Sequence, residues 1–393
     1  MLLATSAASA QTAEGGPAPT VRLRIGPVWV NPTISLPNIG IDTNVFNEPA
    51  NVIPKKDFTI TVSPKAELWL RLGRTWLSGI IAGDIVWYQT YASERSTDST
   101  YGLGWKAPLN RLVLSTNAEW VKTRTRPGFE IDTRAERDEP AYAGSVEVRG
   151  LSKTFIGVRG GWREVLFDNA AAYEGESLKR ELDRTERAAA VTVRHDVTPL
   201  TSVMFSAGRS EERFTYSPSR DSTADNYSVT LNFDPAALLK GSASFGYKDY
   251  QPQSPDVAPF QGAIYEVNLS YILLGSTRFS TNLRRDVESS YDIDQPYYLL
   301  TGGGASITQQ IYGPVDAVGR VTLQRLEYRT REGTTVAAPD RTDRIRNYGG
   351  GVGFRMGEEL RLGFNIDDER RTSVLADREY QGLRYGMSIT YGR

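Results

Sequence analysis

Few residues of this chain could do covalent chemistry. His195 is the one histidine and Asp196 follows it, so a hydrolase built on a Ser/His/Asp or Asp/His arrangement would have to use that pair. With a single imidazole and no cysteine, imidazole and thiolate metal centres are excluded, leaving carboxylate sites for hard cations. Glu211-Glu212 and Asp367-Asp368-Glu369 could supply such carboxylates. Arg213, Arg370 and Arg371 stand beside them, however, and charge pairing at solvated strand ends accounts for both runs. The runs Gly302-Gly303-Gly304 and Gly349-Gly350-Gly351 lack a phosphate-loop lysine and precede no helical pattern, so they do not describe a nucleotide site. These residues predict a protein that is not an enzyme and needs no cofactor.

A second set of charged residues recurs in the middle of strand-like segments: Lys65, Glu67, Asp84, Glu119, Arg159, Arg163, Arg194, Glu266, Arg278, Arg284, Arg320 and Arg361. Their spacing has the period of a strand. Phe58, Ile60, Val62, Ala66, Leu68 and Leu70 alternate with Thr59, Thr61, Ser63, Lys65, Glu67 and Arg71, and after Gly73-Arg74 a second alternating segment runs from Leu77 to Trp87. Period-two alternation gives each strand one apolar and one polar face. The unit repeats, with tight turns at Leu109-Asn110, 150–153, Thr198-Pro199, 234–238, Gly275-Ser276, Gly313-Pro314 and 357–359. Longer polar connections fall between them at 126–138, 169–179, 217–224, 251–258 and 331–343.

Alternating short and long connections are the pattern of an antiparallel up-and-down barrel in an outer membrane. The fold class expected is therefore all-β, a single transmembrane barrel of about 18 strands. Phe233, Tyr271, Phe354 and Tyr391 fall close to short turns, whereas Trp87, Trp120 and Trp162 come later in their segments. About ten residues of tilted strand climb about 25 Å, which would place these aromatics at the two interfaces of a lipid-facing band. A soluble sandwich or propeller could also end its strands on aromatics. One sheet of this size, though, leaves no second apolar layer to cover its greasy face, whereas lipid covers it and closure satisfies the backbone.

Composition agrees. The 393 residues include 36 Gly, 20 Tyr and 13 Phe, and 46 basic residues balance 47 acidic ones to a net charge of -1, so no bulk field favours nucleic acid. Residues 1–10 read as the remnant of a secretory signal, with Ala8-Ser9-Ala10 as an Ala-x-Ala cleavage site. Residues 11–27 are then a flexible periplasmic leader and 28–393 the barrel.

Two stretches carry a resemblance. Gly40-Ile41-Asp42-Thr43-Asn44-Val45-Phe46 resembles the first-strand motif Gly-x-Asp-Ser/Thr-Asn-Val/Leu-Phe/Tyr of the outer-membrane beta-barrel porin families of Gram-negative bacteria. Gly40, Asp42, Asn44 and Phe46 are its matching positions. Asp42 and Asn44 can cap a turn through local side-chain bonds, and a cation or sugar contact at Asp42, Asn44 and Asn47 is the alternative. Gly386, Ile389 and Tyr391 resemble the C-terminal signal read by the barrel assembly machinery, although Gly392-Arg393 follow the final aromatic. The resemblance implies the bacterial outer membrane as location, with its lipid and lipopolysaccharide and the assembly machinery as partners.

A barrel of this size is not filled by its own side chains. The leading expectation is a channel for passive passage of hydrophilic solutes, open or narrowed by the 126–138 segment folding inward, with the twelve mid-strand charges lining it. The resembled families are often associated with exopolysaccharide or capsule secretion, which gives the alternative of an exit conduit working with polysaccharide export proteins. A non-conducting adhesion or scaffold barrel is a third reading.

Overall fold

In the computed structural model, residues 16, 17, 21, 23–357 and 359–392 are described. Their main element is a 19-stranded antiparallel sheet. The three-residue strand Leu23–Ile25 pairs with Val28 to Val30, and the other 18 strands form a closed wall. In chain order these are β1 (Val28–Asp42), β2 (Asp57–Leu72), β3 (Thr75–Tyr88), β4 (Ser96–Pro108), β5 (Leu112–Thr125) and β6 (Ala135–Leu151). Then come β7 (Thr154–Phe167), β8 (Arg184–Thr198), β9 (Thr201–Phe214), β10 (Ser222–Phe233), β11 (Leu239–Pro252) and β12 (Phe260–Leu273). The last are β13 (Thr277–Ser289), β14 (Tyr297–Tyr312), β15 (Val315–Arg329), β16 (Thr342–Met356), β17 (Leu360–Thr372) and β18 (Tyr380–Tyr391). The strand number matches the sequence expectation. The signal remnant lies outside the described residues, and Leu23–Ile25 shows that the end of the expected leader joins the sheet.

Each strand pairs with the next, and β18 returns to β1. The alternation in sequence becomes two faces. Tyr101, Leu103, Trp120, Val158, Val191, Phe205, Phe245, Val352 and Phe364 are each about half exposed on the outside of the cylinder. Their sequence neighbours Gly102, Glu119, Arg159 and Ala190 point to the inside, across from one another in register. Such an exterior is stable in hydrocarbon, where a closed ladder leaves no strand edge. No helix among the described residues is long and apolar enough to cross a membrane.

The seam is built from the sequence motifs at both ends of the barrel. Gly40 faces Gly386 in register, and a Cβ on Gly40 would come 2.5 Å from the Gly386 Cα and 2.1 Å from the Tyr385 carbonyl oxygen. Only hydrogen fits there on either strand. Thr43 N donates to Leu383 O at 3.0 Å, and Leu383 N donates to the Thr43 hydroxyl at 2.8 Å. The Asn44 amide donates to Gln381 O at 3.0 Å, and Arg384 pairs with Asp42 at 2.9 Å. Pro37, which has no N–H to give a ladder, falls where the register of β1 shifts between Leu36 and Ile39.

The eight tight turns anticipated from sequence lie at one end. Gly73 and Gly313, at φ 63° and 51°, supply the left-handed backbone that such hairpins demand. The other end carries longer loops, including 43–56, of which the sequence marked only the opening turn, and 89–95, 290–296 and 373–379, which it did not mark.

A Gly40→Val protein should lose the folded, heat-modifiable band on unheated denaturing gels while Gly386, and with it the C-terminal signal, stays intact. An unchanged folded fraction would show that close contact at the seam is not required for closure.

Candidate functional site

The inward face of the wall gathers the charged side chains. All twelve mid-strand residues singled out from sequence project there, and most meet a partner on their own strand, on the next strand or on the strand after it. Lys65 pairs with Glu67 at 2.8 Å, and Asn31 donates to the same carboxylate at 2.9 Å. Asp84 accepts from the Ser63 hydroxyl. Arg163 lies between Glu139 and Glu186. Arg194 holds both Glu147, at 2.8 Å, and Asp196. Arg284 stands opposite Glu266 in register and pairs with Glu288. Arg320 grips Asp367 at 2.9 Å, and Arg361 grips the fully buried Asp316 at 2.5 Å. Glu119 stands beside the inward Gly102 and Ala141. Arg159 reaches the Ser206 hydroxyl at 2.9 Å, and Arg278 is exposed next to a short turn. Arg159 therefore keeps its charge toward the lumen, whereas Arg163 is largely neutralised by its two carboxylates.

Between these pairs the wall is made of very small residues. Ser115, Ala143, Ser145, Gly161, Ala190, Ser206 and Gly208 border a cavity of ≈ 240 Å³ beside Arg159. Gly349 serves the same end: a Cβ there would lie 1.9 Å from Asp367 Oδ1, so its absence admits the Arg320–Asp367 pair.

The lumen is narrowed by residues 126–134, the connection from β5 to β6. Sequence had offered an open lumen or one narrowed by this segment, and the segment turns inward. Arg126 ties its base by donating to Asp132 O at 2.7 Å and to Val45 O at 2.8 Å. At the tip, Glu130 is 2% exposed and accepts from the Ser290 hydroxyl at 2.7 Å and from Tyr291 N at 3.1 Å. Asp132 accepts from the Asn47 amide and from Arg371, each at 3.0 Å. Arg371 is 1% exposed and also holds Asp343 at 2.5 Å, while Arg378 donates to Glu130 O. Ile131 joins an apolar cluster with Val165, Phe167, Leu178, Phe214 and Tyr291. The tip is thus fastened at once to the wall at Arg371 and to the loops 290–296 and 373–379. A cavity of ≈ 350 Å³ remains between this loop and the wall, bordered by Arg126, Asp132, Arg320, Asp367 and Glu369. Opposed charges across so narrow a space set up a transverse field.

Sequence reasoning did not find Glu130, Arg341, Asp343 or Arg378 and named Arg371 only as a neighbour of the acidic run: nothing local marks a loop carboxylate such as Glu130 whose partners lie more than a hundred positions away, and the pairing of Asp343 with Arg371 depends on register. The buried pair Lys248–Asp286 was missed as well, although strand parity would have placed both residues inside. The acidic run 367–369 is split by the same parity. Asp367 and Glu369 face inward, Glu369 taking a hydrogen bond from the Tyr380 hydroxyl at 2.8 Å, whereas Asp368 faces out. Its arginine neighbours are therefore not its partners: Arg371 pairs with Asp132 and Asp343.

At the first-strand motif, Asn44 N donates to Asp42 Oδ1 at 3.0 Å, and Glu48 N donates to Asn44 Oδ1 at 2.7 Å. This is the turn cap expected from the residues. Val45 is fully buried, and Phe46 meets Tyr91 edge to face at 5.0 Å. Asp42, Asn44 and Asn47 are occupied by these protein contacts. His195 and Asp196 do not form a dyad: His195 pairs with the Thr154 hydroxyl at 3.0 Å at the rim, and Asp196 is held inside by Arg194.

A family model described as "Putative beta-barrel porin 2" matches residues 17–393. Among solved structures, the chain is similar to OccK9 (OpdG) from Pseudomonas aeruginosa, at 12% identity over 92% of this chain and 98% of that one, with a TM-score of 0.47. A BenF-like porin from Pseudomonas fluorescens Pf-5 aligns at 11% identity over 92% and 98%, also with a TM-score of 0.47. A ferric enterobactin receptor mutant from Pseudomonas aeruginosa aligns at 11% identity over 94% and 81%, with a TM-score of 0.44. No curated protein matches.

Burial raises the Glu130 carboxyl above its ordinary range, against the opposing pull of Ser290, Arg341 and Arg378. The folded loop binds that proton more tightly than the free chain does, so fastening is strongest below the unfolded carboxylate range and weakens as pH rises through the raised value. Single-channel records should therefore show more frequent excursions to a larger conductance at pH 8 than at pH 5. Glu130→Gln should remove that dependence, and pH-independent excursions in the parent protein would contradict the assignment.

Proposed function

Because the chain belongs to the beta-barrel porin family whose model matches residues 17–393, we propose that it is a passive channel for hydrophilic solutes in the bacterial outer membrane. The observation that carries this reading is the closed wall of 18 strands whose inward face is polar and, over much of its surface, built of glycine, alanine and serine. Side chains so short cannot fill a cylinder of that circumference, and water occupies what they leave. The inward loop then sets the passage size, and the paired charges beside it orient polar solutes in a transverse field. No side chain described above is arranged to make or break a covalent bond.

The twelve inward charges contribute unequally. An arginine already bridged to carboxylates adds little net field, whereas Arg159, which among the described residues meets a serine hydroxyl and no carboxylate, adds its charge to the lumen. The exit-conduit and scaffold readings rest on family association and on closure of the lumen, respectively. Neither has an observation of its own here.

In planar bilayers the purified protein should give steady, stepwise ion currents, and a protein that inserts without conducting would support the scaffold reading instead. Shortening the loop by deleting residues 128–132 should enlarge each step. Arg159→Glu should move the reversal potential in a salt gradient toward cation preference, with Arg163→Glu confounded by the loss of its two ion pairs. An unchanged reversal potential in Arg159→Glu would remove that residue from the conducting path.

A further inference from the structure

The short-turn end of the lumen differs from the rest of the inward face in how its charges are matched. Arg71 on β2, Arg149 on β6, Lys240 on β11 and Arg278 on β13 occupy inward positions close to short turns. Among the described residues none of the four has a carboxylate within ion-pair distance. Arg71 donates to Gly73 O at 3.2 Å and lies 5.8 Å from the Trp76 ring, and Arg149 lies 5.0 Å from the Phe155 ring. These contacts orient the cations without neutralising them. At the same level Arg355 and Arg361 converge on one carboxylate, Asp316, at 3.1 and 2.5 Å. Two guanidinium groups on one carboxylate leave a positive charge over. They border a cavity of ≈ 490 Å³ together with Gln310, Thr390 and Glu359 of the adjoining turn. Arg361 gives its hydrogen bonds to Asp316, whereas Arg355 engages Asp316 through Nε and, among the described residues, leaves its terminal nitrogens unbonded beside the cavity. The inward carboxylates nearby are committed, Glu147 and Asp196 to Arg194 and Asp316 to this pair, and Glu359 of the turn, which has no cation partner among the described residues, takes a hydrogen bond from the Tyr391 hydroxyl. At the long-loop end the balance reverses in kind, since arginines such as Arg371, Arg341 and Arg163 are each held against carboxylates.

We propose that the short-turn mouth is a cationic collar that captures small polyvalent anions, solutes carrying several carboxylate or phosphate groups, and admits them to the lumen ahead of neutral or cationic ones. The proposal rests on the channel reading above and names the solute class for it. Fixed cations around a water-filled mouth with low-dielectric walls concentrate counter-ions at the entrance. Guanidinium groups with free N–H donors add bidentate geometry for carboxylate and phosphate oxygens. Spacing the cations around the ring keeps each one able to attract, because no single solute neutralises the whole collar. The attraction falls with ionic strength, over a Debye length of about 10 Å at 0.1 M salt.

The test is citrate block of the current in planar bilayers, with citrate added to each side in turn and orientation read from a streptavidin-binding tag placed in the loop at 330–341. Citrate from the short-turn side should block at a concentration about tenfold lower than from the long-loop side, an advantage that weakens in high salt. The combined variant Arg71→Gln, Arg149→Gln, Lys240→Gln, Arg278→Gln should lose the asymmetry while still conducting in concentrated KCl, which also shows that it has folded. Lysine at the three arginine positions should keep it. Equal block from both sides, or asymmetry that survives the glutamine variant, overturns the collar and leaves the channel standing. A parent protein that never conducts overturns the channel and the collar with it.

Discussion

Everything in this molecule follows from one requirement: a strand in hydrocarbon cannot leave its N–H and C=O groups unpaired. Each unsatisfied group costs several kcal/mol in that medium, so the sheet must meet itself. The meeting of β1 with β18 is therefore the interaction on which the rest depends. Its register places Gly40 on Gly386 and Asp42 beside Arg384, and the backbones approach too closely there for any side chain. This gives a physical account of the first-strand motif. Glycine allows the approach, Asp42 and Asn44 cap the turn and reach across the seam, and Val45 and Phe46 anchor the loop that follows.

Closure then dictates where chemistry can be. With lipid outside, ionised groups at membrane depth belong on the inward face, and many of those brought together there are paired. Some pairs run along a strand, as Lys65 with Glu67, and others across strands, as Arg320 with Asp367 and Arg163 with Glu139 and Glu186. Glycines make room for such pairs, which is why runs resembling nucleotide loops prove to be wall positions. The inward loop uses the same currency at greater depth. Arg371 bridges Asp132 of the loop to Asp343 of the wall, and removing one partner of a buried pair costs about 3–5 kcal/mol.

The wall was legible in the sequence because its signal is periodic. Alternation located the strands, glycine and proline located the tight turns, and parity assigned Lys65, Glu67, Asp84 and the other mid-strand charges to one face. What was not legible depends on register and on distance. Nothing around Glu130 reveals that it will reach Ser290, and the run 367–369 cannot show which of its carboxylates faces in until its pairing with 347–349 is known. The loop at 43–56 was read only as a turn capped by Asp42 and Asn44, without its length, and the loop at 290–296 was missed. The signal remnant expected at 1–10 lies outside the described residues.

The claim that lipid covers one face of a closed wall and water the other can be tested on tryptophans that the strands point in opposite directions. Trp120 is 52% exposed on the outer face and Trp69 is 2% exposed on the inner one. Two proteins, each retaining one of these as its only tryptophan, would be placed in vesicles whose lipid tails carry bromine. The account predicts strong quenching of Trp120 emission and little change for Trp69. Equal quenching of the two, or quenching of Trp69 alone, would contradict it.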